Sequence, residues 1–299
     1  MDCRTANRTL LAVNCGLVAS LALGACSSAT APSADPRTIV ATTAIWADVV
    51  SNIVCTGDFT VETLIPPDAD PHIYEPTFRD QEKVARGSLI VANGLELEQA
   101  WSDSIEHSGR EVFTVSDHVA SLPSGDPHLW LDPVLVATVV PDLAAQIISS
   151  TGADEAMITA CAESYVAELQ TLDALIRAEV ATLPDERRVL VTNHDAFGYY
   201  AAQYGFEILD TILPSSTLSE ASPADLEALE ASLAARDIPA IFAEFQHNSG
   251  EAEAIADRAS GAVEVVYLYT GTFGDSASGA DSYVGLMQYD TSAIVAALQ

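Results

Sequence analysis

The sequence predicts an α/β protein of two lobes, each a four-stranded parallel sheet flanked by helices, joined by one long linking helix. Three observations predict it. Short β-branched runs alternate with longer helical patterns from Thr38 onward, the alternation occurs twice, and one unbroken helical stripe separates the two rounds. At 299 residues with 49% hydrophobic side chains, the chain is long and apolar enough to bury a core in both halves.

Residues 1–25 read as a signal segment rather than as part of the fold. Arg4 and Arg8 form a short basic region, Leu10 to Leu23 is largely apolar, and Leu23-Gly24-Ala25-Cys26 closes the stretch. This resembles a bacterial lipoprotein signal, which implies acylation of Cys26 and an extracytoplasmic protein anchored to the cell membrane. The apolar run is short for a membrane span. Residues 26–37, rich in Ser, Ala and Pro, read as a flexible tether.

The first lobe is expected over residues 38–153, with strands at Thr38–Thr42, Phe59–Leu64, Ser88–Ala92 and Glu111–Val115. Helix starts support it. Thr77-Phe78-Arg79-Asp80 has the form of a capping box, and Asp132-Pro133 pairs a capping side chain with proline at the first helical position. The linking helix is expected over residues 154–183, where Cys161, Tyr165, Leu169, Leu172, Ile176, Val180 and Leu183 form one helical stripe. Such a helix is about 45 Å long and permits less hinge motion than paired flexible strands. The second lobe is expected over residues 184–299, with strands at Arg188–Thr192, Glu207–Thr211, Ala240–Glu244 and Val263–Leu268. Ser222-Pro223 signals another helix start, and a final helix runs from Ser282 to Ala297.

Charge narrows the function classes. Twelve Lys and Arg against 43 Asp and Glu give a net charge of -31, which repels nucleic acid and anionic headgroups. Of five cysteines, Cys55 and Cys161 are left once the signal and the acylated Cys26 are set aside. An oxidising compartment permits a disulfide between them, and two separate buried thiols fit the sequence equally.

The histidines carry the chemistry. Asp70-Pro71-His72 and Asp126-Pro127-His128 repeat one tripeptide, and Asn193-His194-Asp195 directly follows an apolar strand. Imidazole is the commonest protein ligand for zinc and related metals. All three histidines lie beyond carboxyl ends of predicted strands, where ligands bind in open α/β sheets, so facing lobes would bring them to one cleft. Asp281, ahead of the final helix, is the candidate for a fourth ligand. A carboxylate there is kept ionised by the helix dipole, yet the same position suits an ordinary N-cap. Asp70 and Asp126 fit two jobs, orienting the imidazoles or bonding the local backbone. His107 and His118 read as surface histidines, and His247 as a loop residue near the cleft.

The motifs as a set resemble the solute-binding lipoproteins of zinc and manganese ABC importers, the ZnuA/TroA-like family. The matching segments are Asp70-Pro71-His72-Ile73-Tyr74-Glu75-Pro76-Thr77, Asp126-Pro127-His128-Leu129-Trp130-Leu131-Asp132-Pro133, Thr192 to Tyr199, and Asp281-Ser282-Tyr283 with Met287 and Tyr289. They occur in family order from about Thr38 to the last residue. The resemblance implies His72, His128, His194 and Asp281 as direct metal ligands, and two α/β lobes around a single long helix. It further implies capture of a divalent metal ion and delivery to a cognate ABC permease and its ATPase. A monomer is expected. Zinc is favoured over manganese because three imidazoles and one carboxylate suit tetrahedral zinc, and relatives devoted to manganese or iron commonly carry glutamate where His194 stands. The Ser116–Gly125 segment holds only His118, so the histidine-rich loop of many zinc relatives is missing. Two other classes compete. A zinc-dependent hydrolase would keep an open coordination position and a nearby base, and the chain has no H-E-x-x-H helix or G-x-S-x-G elbow. A surface adhesin shares the fold within the family.

Overall fold

In a computed structural model, the described residues are 34–67, 69–120, 125–212, 223–246, 250–259 and 263–299. Cys26 and the signal segment, Ser222 and His247 lie outside them. The first half runs β1 (Thr38–Ala41), α1 (Ala44–Val54), β2 (Thr60–Thr63), α2 (Phe78–Arg86), β3 (Leu89–Ala92), α3 (Ser102–Glu106), β4 (Glu111–Thr114) and α4 (Pro133–Thr151). After α5 (Glu155–Val180), the second half runs β5 (Val189–Thr192), α6 (Gly198–Tyr204), β6 (Glu207–Thr211), α7 (Pro223–Arg236), β7 (Ala240–Glu244), α8 (Gly250–Arg258), β8 (Glu264–Leu268) and α9 (Tyr283–Leu298). All eight expected strands form, each trimmed by no more than two residues.

Both sheets are parallel, and their orders correspond: β2-β1-β3-β4 and β6-β5-β7-β8. Strands β1, β3, β5 and β7 are buried on both faces, as their uninterrupted apolar runs require. The chain leaves β1 toward β2 on one side and β3 on the other, and it leaves β5 toward β6 and β7 in the same way. Each lobe thus has its topological switch point beside its first strand, at the carboxyl edge of the sheet.

The helix starts follow the local chemistry. Thr77 and Asp80 close a reciprocal capping box on α2, and Asp132 caps α4 through Val134 N with Pro133 in the first turn. Asp154 caps α5, which is one unbroken helix of 26 residues whose stripe of Ile158, Tyr165, Leu169, Leu172, Ile176 and Val180 is buried. The cap of α9 is Ser282, whose hydroxyl accepts from Gly285 N at 3.2 Å. Asp281, one residue earlier, is therefore not the cap.

One continuous apolar core crosses from the first half to the second. It includes Ile39, Trp46, Leu143 and Trp130, then Tyr165 and Leu172 of α5, then Phe197, Tyr200, Tyr283 and Met287. Polar contacts stitch the same boundary. Tyr283 Oη donates to Trp130 O at 2.6 Å, Tyr199 Oη donates to Asp126 O at 3.0 Å, and Tyr283 N donates to Asp48 Oδ2 at 3.1 Å. Cys55, at the end of α1, and Cys161 of α5 form a disulfide, which decides between the two cysteine readings.

Candidate metal centre

Each histidine is set by a turn at the carboxyl edge of a sheet. His72 follows β2, and Asp70 Oδ1 accepts from His72 N at 2.9 Å, an Asx-type turn that fixes the loop. His128 follows β4 through the same turn, with Asp126 Oδ1 accepting from His128 N at 2.9 Å and also from His128 Nδ1 at 2.7 Å. The two copies of the tripeptide therefore share the backbone job, and Asp126 orients a ring as well. The second loop is held from below by Asn93, which donates to Pro127 O at 2.8 Å and accepts from Trp46 Nε1 at 2.9 Å.

His194 lies beyond β5. Thr192 Oγ1 donates to His194 O at 2.8 Å, and Asn193 N donates to Phe242 O at 2.9 Å, which shapes the turn between the two central strands. The ring pairs through Nδ1 with Glu244 Oε1 at 3.0 Å, at the last residue of β7. Glu244 Oε2 accepts from Gln246 Nε2 at 2.8 Å and from the Thr270 hydroxyl.

The three rings meet. His72 Nε2 lies 3.3 Å from His128 Nε2, and one ligand nitrogen from each of the three rings lies within 4.8 Å of the others. Two nitrogens bound to one tetrahedral zinc at ~2.0–2.1 Å stand about 3.4 Å apart, so the pair is already at ligand spacing and the third ring needs only a small closure. His128 and His194 are 3% and 1% exposed, while His72 is half-buried at the mouth.

His72 and His194 are shifted in opposite directions. Burial, with the neighbouring imidazoles of His128 and His194, pulls His72 down to about 4, which keeps its ring neutral near pH 7. Burial also pulls on His194, but the hydrogen bond and charge of Glu244 outweigh it, and its pKa sits above the ordinary value. With Nδ1 of His128 and of His194 directed at a carboxylate, Nε2 is the nitrogen each ring offers to a metal.

Pro71, Trp130, Gln246, Thr270 and Gly271 complete the lining around the three rings. The cavity they enclose is about 10 Å³, the scale of a single ion or water. Asp281 is exposed and stands outside the cluster, although its sequence position pointed there. The second lobe approaches the rings from the loop after β8, through Thr270 and Gly271, and the two acids of that loop, Asp275 and Asp281, are exposed. His107 is exposed, and His118 pairs on the surface with Asp142 at 2.9 Å, as surface histidines should.

Glu244, Gln246 and Asn93 were not singled out from the sequence. The available signal was positional: an acid ending a buried apolar strand, or an amide just after one, faces the same edge as the histidine loops.

Two α/β lobes with three imidazoles converging between them define a metal-binding protein of the solute-capturing kind. The chain belongs to the family described as zinc-uptake complex component A, periplasmic (ZnuA), which matches residues 39–297. It is 35% identical over 280 residues to the zinc-binding protein TroA of Treponema pallidum, covering 89% of this chain and 90% of that one. It is 29% identical over 299 residues to the manganese-binding lipoprotein MntA of Bacillus subtilis, covering 95% and 97%. The solved structure of periplasmic zinc-binding TroA from Treponema pallidum superposes with a TM-score of 0.81 at 34% identity, covering 88% of this chain and 99% of that one.

Proposed function

We propose that this protein captures a divalent transition metal, zinc in preference to manganese, outside the cytoplasmic membrane and delivers it to an ABC permease driven by a cytoplasmic ATPase. The observation that carries the reading is the convergence of His72, His128 and His194. Three imidazoles are borderline donors that suit zinc, whereas manganese favours more oxygen and a higher coordination number. Two carboxylates, Asp126 and Glu244, stand behind the rings and offset the charge of the bound ion. Cys26 is the proposed lipid attachment, with the protein monomeric at the membrane surface. On this reading no bond is made or broken in the cargo.

Relatives supply both metals by name, zinc for TroA and manganese for MntA. The test is elemental analysis of the purified protein together with a zinc–manganese competition titration. Stoichiometric zinc that manganese fails to displace is expected. A stoichiometric preference for manganese overturns the choice of metal while leaving the capture function in place.

A further inference from the structure

We propose that Glu98, a buried acid in the loop after β3, is a positioning residue for His128: it fixes Asn93, and Asn93 holds the carbonyl on which the His128 turn rests. The inference rests on the reading of His72, His128 and His194 as metal ligands and deepens it by naming what sets one of those rings from inside the first lobe.

Glu98 is 6% exposed, and its carboxylate is met by hydrogen-bond donors. Oε1 accepts from the Thr42 hydroxyl and from Asn93 N at 2.8 Å, and Oε2 accepts from Gly94 N at 3.3 Å. The chain bends sharply to bring it there. Gly94, Leu95 and Glu96 take φ of 85°, 53° and 61°, three left-handed residues in succession, two of them with a Cβ. Such residues are strained and persist only where their surroundings hold them. Glycine is required at the first of the three, since a Cβ there would stand 2.1 Å from Ser116 Oγ, just beyond β4. What the turn achieves is to return the Glu98 carboxylate to the amides of residues five and four positions earlier.

Asn93 turns that anchor into a position for His128. Its Oδ1 accepts from Trp46 Nε1 at 2.9 Å, and its Nδ2 donates to Pro127 O at 2.8 Å, the carbonyl of the residue before His128. An indole N–H only donates and a carbonyl only accepts, so the amide has one orientation and the carbonyl one place to rest. The support therefore runs from Glu98 through Asn93 and Pro127 to His128 without a gap. The second lobe follows the same plan. Strands β1 and β3 are neighbours in the first sheet as β5 and β7 are in the second. Glu98 follows β3 and binds Thr42, just beyond β1; Glu244 ends β7 and binds the His194 ring, just beyond β5. Each lobe thus sets a buried glutamate at its switch point, one reaching a ring directly and the other through Asn93.

The test uses the full chain, with zinc titrated against a chromophoric chelator well below the melting temperature of each variant. Glu98→Gln keeps the shape, but with Oε1 on Asn93 N its amide nitrogen faces Gly94 N, donor against donor. It is expected to bind zinc about tenfold more weakly than the parent, as is Asn93→Ala. The variant carrying both changes is expected to bind no more weakly than Asn93→Ala alone, because the two residues act in series. The double variant Cys55→Ser with Cys161→Ser, destabilised away from the metal, is the control and should keep the parent affinity. Thr42→Val, which removes one donor from the carboxylate, takes the place of Glu98→Gln if near-ultraviolet circular dichroism shows that variant unfolded, with a loss of about threefold or more expected. The proposal is overturned if Glu98→Gln, or Thr42→Val in its place, melts lower yet binds zinc as the parent does, which would make Glu98 a purely structural residue. It is equally overturned if the losses of Glu98→Gln and Asn93→Ala multiply in the variant carrying both, or if the disulfide control loses as much affinity. Failure of the underlying site is separate: His72→Ala and His194→Ala would then bind zinc as tightly as the parent.

Discussion

Glu244, at the last residue of β7, pairs with His194 Nδ1 at 3.0 Å, which makes Nε2 the nitrogen that ring would offer to a metal. The carboxylate is 1% exposed and held on its other oxygen by Gln246 and Thr270, so the ring is fixed from the centre of the second sheet. Replacement by Gln removes the charge and leaves a weaker acceptor. Glu244→Gln is expected to lower zinc affinity by roughly 10–100-fold, the usual loss when a carboxylate behind a metal-bound histidine is removed. Competition titration with a chelator measures it, and a change under threefold would separate Glu244 from the site.

Removal of a ring should be more damaging to binding than to folding. His72 is half-buried at the mouth of the pocket, with its place in the chain held by the Asp70 turn, so His72→Ala opens space toward solvent and strands no buried carboxylate. His194→Ala does strand the Glu244 carboxylate, so its thermal stability should fall as well. Isothermal titration should show zinc affinity lost by at least about 100-fold in both, since on the proposed reading each removes a direct ligand rather than its support. Retained affinity in both would remove the three-histidine centre.

Acid should release the metal, and the two shifted histidines set the order. A ligating imidazole must be neutral, so protons compete with zinc wherever a ring titrates in the metal-free protein. Glu244 holds the pKa of His194 above the ordinary value of 6.5, so this ring begins to resist ligation on mild acidification; His72, pulled to about 4, resists only in strong acid. Affinity is expected to rise with pH through the upper range of histidine titration, by about tenfold per unit for one competing proton. Chelator competition at three pH values between 5.5 and 8 measures the slope. In Glu244→Gln the steep region should move to lower pH, because the group that raises His194 has gone.

Much of this was legible along the chain. The eight strands are buried β-branched runs such as Thr38–Ala41 and Val189–Thr192, and burial on both faces leaves such runs few alternatives. The three histidines were legible because each follows a strand and two carry their own Asp-Pro turn. Glu244 and Gln246 were not, since their role depends on β7 lying beside β5, a pairing of residues about fifty positions apart. Asp281 is ambiguous for a local reason. Asp ahead of a helix resembles both cap and ligand, but Ser282 takes the cap, and the chain reaches the rings through Thr270 and Gly271 instead. The pairing of Cys55 with Cys161 likewise depended on α1 packing against α5, which no spacing rule encodes.

That disulfide should support stability without touching the metal. It joins residues 106 apart with Cα atoms at 6.0 Å, within the ordinary range. Because α1 runs back from the carboxyl edge of its sheet, Cys55 sits at the edge opposite the histidine loops. Closing a loop of that length is worth up to about 4–5 kcal/mol through the unfolded chain. The double variant Cys55→Ser with Cys161→Ser should unfold at a temperature lower by roughly 10 °C and bind zinc with unchanged affinity. Loss of affinity in the folded double variant would place the link in the functional architecture instead.

Asp290 of α9 supplies a pH-dependent stability term of opposite sign to most carboxylates. It is 1% exposed, Oδ1 accepts from Tyr269 N at 2.9 Å, and Oδ2 has no hydrogen-bond partner. Burial drives its pKa well above 3.8, against the lowering effect of the Tyr269 amide, so the folded protein retains a proton that the unfolded chain gives up. Its contribution to stability is thus fully present below pH 3.8, declines as pH rises above that value, and is lost by the raised folded pKa. Asn keeps the shape and the acceptor for Tyr269 with no proton to lose. Asp290→Asn is therefore expected to melt higher than the parent at pH 7–8, by about 2–4 °C for each kcal/mol recovered, and to converge with it near pH 4. Thermal unfolding of the metal-free protein across that range measures the difference. A variant that melts lower than the parent at pH 8 would show that Asp290 is ionised in the fold and held by a partner the burial argument leaves out.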